Sequence, residues 1–255
     1  MKMNDKRTAF ILAAGLGTRL KELTLSKPKA LVELNQKPLI EITIDNLISQ
    51  GFNHFVINIH HFGDEIISYF KKRKYDNIII EFSDESDLLR DTGGGIKHAA
   101  PLLQGGHFLI HNVDIVSNLD LNLFYDTHIS DPQSPVATLL VSDRETARYL
   151  LFDQENRLVG WINKKTGEVK SPFPEILSQR WEALVERYRP LAFGGMHVVS
   201  PGIFPLMEGW GEKFSIIDFY VSIAKDHIVR GYEAPAGTIL TDVGKLDQIG
   251  YTTKE

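Results

Sequence analysis

The sequence predicts an α/β protein whose doubly wound, mainly parallel sheet is flanked by helices and accompanied by a smaller lobe. The first observation is a series of apolar runs that are nearly continuous rather than alternating, which is typical of strands buried on both faces. The second is that segments with helical periodicity lie between these runs, an order that favours right-handed crossovers between parallel strands. The third is that no linker, composition break or repeat divides the chain. We therefore expect residues 1–255 to form a single domain.

Four apolar runs in the first half predict strands. These are residues 9–14, 55–59, 78–82 and 108–110. A helix is predicted to begin at Pro38 and to end before Gly51, because proline is favoured in the first turn of a helix and glycine just past its end. A second helix is predicted after Gly63, ending in the basic run 71–74. Cations at a helix C-terminus complement the helix dipole, so we interpret this run as a solvated helix end rather than a nucleic-acid patch.

The second half of the chain is less regular. Residues 136–141, 149–152 and 191–199 predict further strands. Between the last two lies a segment that contains Trp161, Pro172, Pro174 and Trp181, which we interpret as a lobe packed against the first half. Ligands of doubly wound sheets bind beyond the carboxyl ends of the strands, so we expect the site in the loops that follow the first-half strands.

Composition excludes several classes of function. The chain of 255 residues carries 28 Lys and Arg against 33 Asp and Glu, a net charge of −5. This balance gives no general attraction to nucleic acids or anionic membranes, so we expect neither as a partner. The absence of cysteine excludes a disulfide scaffold, thiolate catalysis and Cys-ligated metals. No apolar run approaches the ~20 residues that span a bilayer. Asp5 and the shortness of the first apolar run disfavour a signal peptide, so we expect a cytoplasmic protein.

The loop after the first predicted strand carries the strongest chemical signal. Residues 11–20 read ILAAGLGTRL. Gly15 and Gly17 allow a turn tight enough for successive N–H groups to point at an anion. Thr18 adds a hydroxyl group, and Arg19 adds a guanidinium suited to phosphate oxygens. The spacing fits neither a Walker A loop, which needs a lysine after its last glycine, nor a dinucleotide fingerprint, which needs a third glycine.

Motifs along nearly the whole chain resemble, in the same order, those of sugar-1-phosphate nucleotidylyltransferases. The matching segments are LAAGLGTRL (12–20), KPKALV (27–32), DTGGG (91–95), HNVD (111–114), FGGM (193–196) and TDVG (241–244). The resemblance implies the fold of nucleotide-diphospho-sugar transferases, with a nucleotide-binding half at about residues 1–115 and a sugar-binding half at about residues 116–255. It also implies attack of a sugar 1-phosphate on the α-phosphorus of a nucleoside triphosphate. Such a reaction needs positioning and charge neutralisation more than covalent help.

The resemblance also implies roles for particular residues. Those that would bind the nucleotide are Leu12, Ala13, Ala14, Gly15, Gly17, Thr18, Arg19, Lys29, Gly93 and Gly94. Arg19 and Lys29 would be catalytic, Arg19 holding the departing pyrophosphate and Lys29 lying near the α-phosphate. Asp114 and Asp242 would bind Mg²⁺, which usually takes one or two carboxylates plus phosphates and water. Gly194 and Gly195 would let the backbone approach the sugar.

Ordinary structural roles stay open for these residues. Lys29 is also compatible with a surface lysine of a loop, Asp114 with a helix N-cap and Asp242 with a turn residue. Residues 93–95 are compatible with a glycine-rich helix start without a ligand. Relatives usually carry glycine where this chain has Val113. Because a β-branched residue disfavours positive φ, we expect a conventional backbone there.

Within this family, the triple glycine, the chain length and the TDVG segment most resemble the enzymes that act on N-acetylmuramate 1-phosphate, and this resemblance implies UTP and that sugar phosphate as substrates. Guanylyl transfer to mannose 1-phosphate or heptose 1-phosphate is the first alternative. A metal-dependent glycosyltransferase is another, because Asn112-Val113-Asp114 loosely resembles an Asp-x-Asp motif. A non-catalytic nucleotide-sugar sensor is a third, although such proteins tend to lose one of the charged residues present here. We expect a nucleoside triphosphate and a sugar 1-phosphate as partners, with Mg²⁺ as cofactor, and leave homo-oligomerisation open.

Overall fold

The strands that the apolar runs predict form a mixed sheet in the computed structural model, which describes residues 6–17, 20 and 23–244. The strands are β1 (Thr8–Leu12), β2 (Glu33–Leu34), β3 (Lys37–Pro38), β4 (His54–Ile59), β5 (Ile79–Asp84), β6 (Phe108–Asn112), β7 (Ile115–Ser117), β8 (Ala137–Ser142), β9 (Arg148–Phe152), β10 (Leu158–Asn163), β11 (Glu168–Lys170), β12 (Arg189–Val199), β13 (Val229–Glu233) and β14 (Leu240–Asp242). The helices are α1 (Leu39–Ser49), α2 (Gly63–Lys71), α3 (Asp91–His98), α4 (Ala100–Leu103), α5 (Leu121–Ser130), α6 (Pro174–Leu177), α7 (Trp181–Arg187), α8 (Ile203–Leu206) and α9 (Ile216–Ile223).

The first-half strands pair in parallel, as predicted. β1 lies between β4 and β6, and β5 extends the sheet beyond β4, all in parallel. The second half joins this sheet through β12, which runs antiparallel to β6, β8 and β9. The resulting order along the main path is β11-β10-β9-β12-β6-β1-β4-β5. Off this path, β8 pairs with β12, and β13 pairs with β8. A second-half strand therefore lies directly beside the first-half sheet, so the two halves of the sequence share one sheet.

Alternate residues of the central strands pack into two apolar layers, one on each face of the sheet. On β1, Ala9 and Ile11 enter one layer and Phe10 enters the other, and all are fully buried. Helices α1, α2 and α5 contribute to the first layer, whereas α3, α4, α8 and α9 contribute to the second. Burial of each large side chain contributes about 1.5–3 kcal/mol relative to exposure. Helices on both faces confirm the doubly wound prediction.

The predicted smaller lobe is built from β9, β10, β11, α6 and α7. Its own apolar cluster includes Tyr149, Leu151, Ile162 and Leu184. The predicted helices are also confirmed, since α1 follows Pro38 directly and α2 begins at Gly63. Within the described ranges, every helix falls short of the length and apolarity that crossing a membrane requires.

Candidate active site

A cavity of about 380 Å³ opens where β1, β4, β5 and β6 end, at the edge where a doubly wound sheet is expected to bind its ligand. Its lining comes from several loops of the first half of the chain and from the segment before α9. The lining residues are Leu12, Ala14, Gly15, Lys29, Asn58, Glu85, Leu89, Asp91, Thr92, Asn112, Asp114 and Lys213. A larger cavity of about 640 Å³ lies beside the N-terminus of α2 and contains none of the predicted site residues. The smaller cavity is therefore the candidate site.

The glycines after β1 shape the loop at the mouth of this cavity. Gly17 has a φ of +63°, and a Cβ there would lie 2.8 Å from Thr24 Cγ2 and 3.0 Å from Lys29 Cβ. A side chain is therefore disfavoured both by the left-handed backbone and by the close approach of Lys29. Gly15 differs, since a Cβ there would meet no atom within 4 Å. Thr18 and Arg19, the predicted phosphate ligands that follow Gly17, lie outside the described residues.

The predicted first strand is shorter than its apolar run. β1 ends at Leu12, so Ala13 and Ala14 belong to the loop. Their backbone N–H groups donate to Asn58 Oδ1, at 2.6 and 3.1 Å. These two donors are therefore already occupied by protein, and among the residues predicted to bind nucleotide before Gly15, Leu12 and Ala14 line the cavity.

Lys29 is held against Asp114 rather than extending from the surface. It begins a short 3₁₀ turn, Lys29–Leu31, whose middle residue Ala30 is fully buried. Its Nζ donates to Asp114 Oδ2, and the Lys29 and Asp114 side chains are 12% and 11% exposed. A buried carboxylate is costly unless a cation or hydrogen bonds compensate it, and Lys29 supplies that compensation. The surface-lysine interpretation does not fit this environment.

Asp242 reaches the same place through two short strands. β7, which follows Asp114 closely, pairs antiparallel with β14, and Asp242 lies opposite Ile115. The Val243 backbone N–H then donates to the Asp114 carbonyl oxygen at 2.9 Å. Because a strand follows Asp114, the helix N-cap interpretation of this residue is wrong. Asp242 does make the local turn contact of its alternative interpretation, since its Oδ1 accepts from the Gly244 N–H at 3.0 Å.

Gly244 marks the point at which these three charged groups converge. A Cβ at residue 244 would lie 2.5 Å from Asp114 Oδ2, 2.9 Å from Asp242 Oδ1 and 3.0 Å from Lys29 Nζ. Two carboxylates and one ammonium group, far apart in sequence, therefore surround one small space. Burial lowers the pKa of nearby His111 to about 4, so its imidazole adds no positive charge near Asp114 at neutral pH.

The donor set suits a hard divalent cation. Carboxylate oxygens are preferred by Mg²⁺, which keeps several waters and commonly adds substrate phosphate oxygens. Across residues 6–17, 20 and 23–244, no group of three or more His, Cys, Asp or Glu side chains could hold a metal by itself. A cation held by Asp114 and Asp242 would therefore complete its coordination with ligands from substrate and water.

The triple glycine lies inside α3 and faces protein. A Cβ at Gly93 would overlap the Phe214 ring, and one at Gly94 would overlap the Glu212 carbonyl group. The backbone N–H groups of both glycines donate to the Phe214 carbonyl oxygen, at 2.9 and 3.3 Å. The open sides of both glycines are therefore filled by residues 212–214, and contact of the nucleotide with Gly93 and Gly94 stays a prediction. Two other residues of α3, Asp91 and Thr92, line the cavity. Neither was predicted to do so from the sequence.

Gly194 and Gly195 form an irregularity in β12. The pairing of β12 with β8 shifts register between Phe193 and His197, as at a β-bulge. Gly195 has a φ of +78°, and a Cβ there would lie 2.8 Å from Ile115 Cγ1. Neither glycine lines the cavity, although Gly195 adjoins the Asn112 side chain, which does. Contact with a sugar stays a prediction for both.

Val113 fits the expectation of a conventional backbone. It is not among the described residues with positive φ, and its side chain is 2% exposed in the apolar layer that contains α1. The side chain therefore contributes to the core directly behind Asp114. Two further lining residues, Glu85 and Lys213, were not expected from the sequence. Glu85 follows the predicted strand 78–82, whereas Lys213 lies near no element that the sequence predicts.

Known proteins resemble this chain in sequence over much of its length. The sequence model of the Nucleotidyl transferase family matches residues 8–159. The chain is 31% identical over 240 residues to N-acetylmuramate alpha-1-phosphate uridylyltransferase of Caulobacter vibrioides, covering 91% of this chain and 89% of that protein. It is 34% identical over 123 residues to mannose-1-phosphate guanyltransferase of Aspergillus oryzae, covering 47% of this chain and 34% of that protein.

A solved structure shares the fold. It is a putative glucose-1-phosphate thymidylyltransferase from Bacillus anthracis in complex with a sucrose, with a TM-score of 0.76 and 14% identity, covering 96% of this chain and 93% of that one. The chain belongs to the nucleotidyl transferase family. Within it, the chain is a sugar-1-phosphate nucleotidylyltransferase, an enzyme class whose substrates are a nucleoside triphosphate and a sugar phosphate. This assignment confirms the resemblance and replaces the glycosyltransferase and sensor alternatives.

Proposed function

We propose that this enzyme transfers a uridylyl group from UTP to N-acetylmuramate 1-phosphate in the presence of Mg²⁺. A phosphate oxygen of the sugar 1-phosphate forms a bond to the α-phosphorus of UTP. The bond from that phosphorus to the bridging oxygen of the β-phosphate breaks, and this oxygen leaves on pyrophosphate with the electron pair. The products are a nucleotide sugar and pyrophosphate.

The observation that carries the proposal is the convergence of Lys29, Asp114 and Asp242 at the cavity. These groups meet within 3.0 Å of one point beside Gly244. A reaction between two phosphates needs cancellation of charge in the place where the phosphates approach each other. A structural salt bridge would not need the second carboxylate, and a sheet edge that binds ligands is where such a group is expected.

Lys29 is the residue that we assign to the α-phosphate. Its ammonium group is a compact charge on a flexible stem, so it can follow the charge that develops on the α-phosphate oxygens. Its charge compensates Asp114 in the structure. Exchange of this partner for a phosphate oxygen would leave Asp114 available to a metal ion, which connects substrate binding to metal binding.

Asp114 and Asp242 would hold Mg²⁺. When bound, the ion would supply positive charge that screens the repulsion between the sugar phosphate and the triphosphate. The chain's own contribution is to hold both carboxylates at one place through the β7–β14 pairing. Because Gly244 has no Cβ, the space between the two carboxylates stays open.

The remaining assignments divide the ligand between the two parts of the chain. Backbone N–H groups of the 15–17 loop, with Thr18 and Arg19, would hold the β- and γ-phosphates. The nucleotide would lie mainly on about residues 1–115, and the sugar mainly on about residues 116–255, near Gly194 and Gly195. The identity of UTP and N-acetylmuramate 1-phosphate rests on the Caulobacter vibrioides relative, which matches most of both chains.

A matrix of substrates tests this proposal. The purified protein is incubated with Mg²⁺ and each of UTP, GTP, CTP or dTTP against N-acetylmuramate, mannose, glucose and heptose 1-phosphates. Pyrophosphate release gives kcat/KM, and mass spectrometry identifies the nucleotide sugar. We expect the highest kcat/KM for UTP with N-acetylmuramate 1-phosphate, and loss of turnover when EDTA removes divalent cations.

Other outcomes of the matrix are decisive as well. A higher kcat/KM for GTP with mannose 1-phosphate would replace the uridylyl assignment by the guanylyl one, the activity for which the Aspergillus oryzae relative is named. Undiminished turnover in EDTA would refute the metal assignment. Absence of pyrophosphate release from every combination would refute the proposed function as a whole.

A further inference from the structure

A buried asparagine and a buried glutamate tie the loop after β1 to the loop before α3. Asn58 is 3% exposed and Glu85 is fully buried. Asn58 Oδ1 accepts from the backbone N–H groups of Ala13 and Ala14. Asn58 Nδ2 donates to Glu85 Oε1 at 2.7 Å, and Glu85 Oε2 accepts from the Arg90 backbone N–H at 3.1 Å. A continuous set of buried hydrogen bonds therefore runs between the two loops.

The donors and acceptors of this set allow one arrangement. The N–H groups of Ala13 and Ala14 are donors, so the oxygen of the Asn58 amide must face them and its nitrogen must face residue 85. The Arg90 N–H is a donor too. The side chain of residue 85 therefore has to accept on both of its terminal atoms, which an ionised carboxylate does and a glutamine amide cannot. Glutamate at this position is required by the pattern, not merely tolerated.

Gly95 makes room for the pair. A Cβ at residue 95 would lie 2.7 Å from Glu85 Oε1 and 3.1 Å from Asn58 Nδ2. The Glu85 backbone is fixed as well, because its N–H donates to the Ile59 carbonyl oxygen at 2.8 Å and its carbonyl oxygen accepts from the Leu88 N–H at 3.0 Å. The carboxylate therefore has a defined position beneath the cavity, in contact with Asn58 and through it with the loop after β1.

We propose that Glu85 is a positioning residue for the phosphate-binding loop. Through Asn58, it fixes the backbone of Ala13 and Ala14 so that the following N–H groups of the 15–17 loop face the cavity rather than the sheet. The inference rests on the proposed function, in which that loop holds the triphosphate. It predicts that the Glu85 side chain controls the affinity for the nucleoside triphosphate without controlling the affinity for the sugar phosphate.

The first test is Glu85→Gln. A glutamine can accept from Asn58 or from the Arg90 N–H but presents its own NH₂ group to the other donor. Leaving one buried donor unsatisfied is expected to raise KM for UTP by roughly tenfold to hundredfold. We expect KM for the sugar 1-phosphate to stay within about twofold, because the hydrogen bonds of the pair reach the 13–14 loop and not β12. An unchanged KM for UTP would overturn the proposal.

The second test exchanges the two functional groups by combining Asn58→Asp with Glu85→Gln. The aspartate introduced at position 58 accepts from the Ala13 and Ala14 N–H groups with one oxygen. Its other oxygen accepts from the NH₂ group of the glutamine introduced at position 85. The oxygen of that glutamine then accepts from the Arg90 N–H, so every hydrogen bond is restored with the same shape and net charge. We expect KM for UTP to return to within about threefold of the wild-type value, since no buried group is left unsatisfied.

A folded double variant that binds UTP as poorly as Glu85→Gln would also overturn the proposal. If Glu85→Gln alone does not fold, the double variant, compared with wild type by circular dichroism, carries the test on its own. The matched control is Glu81→Gln on β5, the strand that precedes Glu85. The Glu81 carboxylate lies 2.6 Å from the Nε2 of buried His54, near the start of β4 and away from the cavity. It is expected to leave KM for UTP unchanged.

Hydrogen exchange separates failure of this inference from failure of the proposed function. Exchange of the Ala13 and Ala14 amide protons is expected to be faster in Glu85→Gln and to return to the wild-type rate in the double variant. This readout needs no substrate. Absence of turnover in the wild-type protein with restored exchange in the double variant would refute the proposed function alone. Normal turnover with unchanged exchange in Glu85→Gln would refute the role of Glu85 alone.

Discussion

Two glycine-rich segments reach the candidate site, and their missing side chains serve different purposes. At Gly15, in the loop after β1, a Cβ would meet no atom within 4 Å, and the residue lines the cavity. At Gly94, in α3, a Cβ would lie 2.9 Å from the Glu212 carbonyl carbon and 3.0 Å from Arg90 Cβ. The first glycine leaves space for a ligand, whereas the second leaves space for the chain's own 212–214 segment.

The comparison separates residues that bind substrate from residues that hold the site in shape. A change at Gly15 should alter turnover while leaving stability nearly unchanged, because a side chain there meets no other atom. Changes at the glycines of α3 should lower stability first. Both kinds of residue belong to motifs shared with the family, so a matching motif by itself does not distinguish the two roles.

The largest effect is expected for Asp114→Asn. This change keeps the shape of the side chain but removes the charge that Lys29 compensates and that a metal ion would need. We expect kcat/KM to fall by about 10²-fold or more, comparable to loss of one electrostatic group at a reacting centre. The rate of pyrophosphate release with UTP and N-acetylmuramate 1-phosphate measures kcat/KM, and thermal unfolding measures stability in parallel.

The matched control is Asp45→Asn. Asp45 pairs with Lys37 as Asp114 pairs with Lys29, but both side chains of this surface pair are 41% exposed. Exposed ion pairs contribute little, so we expect wild-type turnover and stability from the control. Near-normal kcat/KM in Asp114→Asn would remove Asp114 from the catalytic site and leave the buried pair as a structural feature.

The sequence was sufficient for the central sheet and insufficient for the pieces that complete the site. The continuous apolar runs predict β1, β4, β5 and β6 because a strand buried on both faces leaves a strong local signal. β7 and β14 are short strands that pair with each other although they lie far apart in the sequence. Such short strands leave no periodic signal, so the meeting of Asp114 and Asp242 followed from motif resemblance and not from pattern.

The packing of α3 shows a second reason why part of the site could not be predicted from the sequence. The resemblance assigns Gly93 and Gly94 to nucleotide binding, yet the contact in the structure that requires both residues to be glycine is with residues 212–214. Nothing near residue 93 in the sequence indicates which distant segment covers it. For the same reason Glu85 was missed, because its role depends on Asn58 and on the Arg90 N–H meeting it from different loops.

An intermediate effect, on stability, is expected for Gly94→Ala. Its added methyl group would meet the Glu212 carbonyl group, which is backbone and cannot rotate away. Overpacking of this kind costs about 1–3 kcal/mol in the free energy of unfolding. For a chain of this size each kcal/mol lowers Tm by about 2–4 °C. Gly105→Ala is the control, because a Cβ there meets nothing within 4 Å. A Tm equal to that of the control would show that the 212–214 segment is not fixed against α3.

The smallest effect is expected for Gly15→Ala, which reverses the pattern of Gly94→Ala. The methyl group enters open space, and φ of Gly15 is not positive, so the fold accommodates it and Tm stays unchanged or rises slightly. The same methyl group stands where the triphosphate would approach the loop. Loss of about one hydrogen bond to phosphate corresponds to a rise of roughly fivefold in the Kd for UTP. Titration calorimetry with UTP and thermal unfolding of both alanine variants measure the two effects together.

The opposite result for Gly15→Ala would be a lower Tm with intact UTP affinity. The loop after β1 would then have the structural role that the comparison assigns to α3, and the triphosphate would have to be bound elsewhere in the cavity.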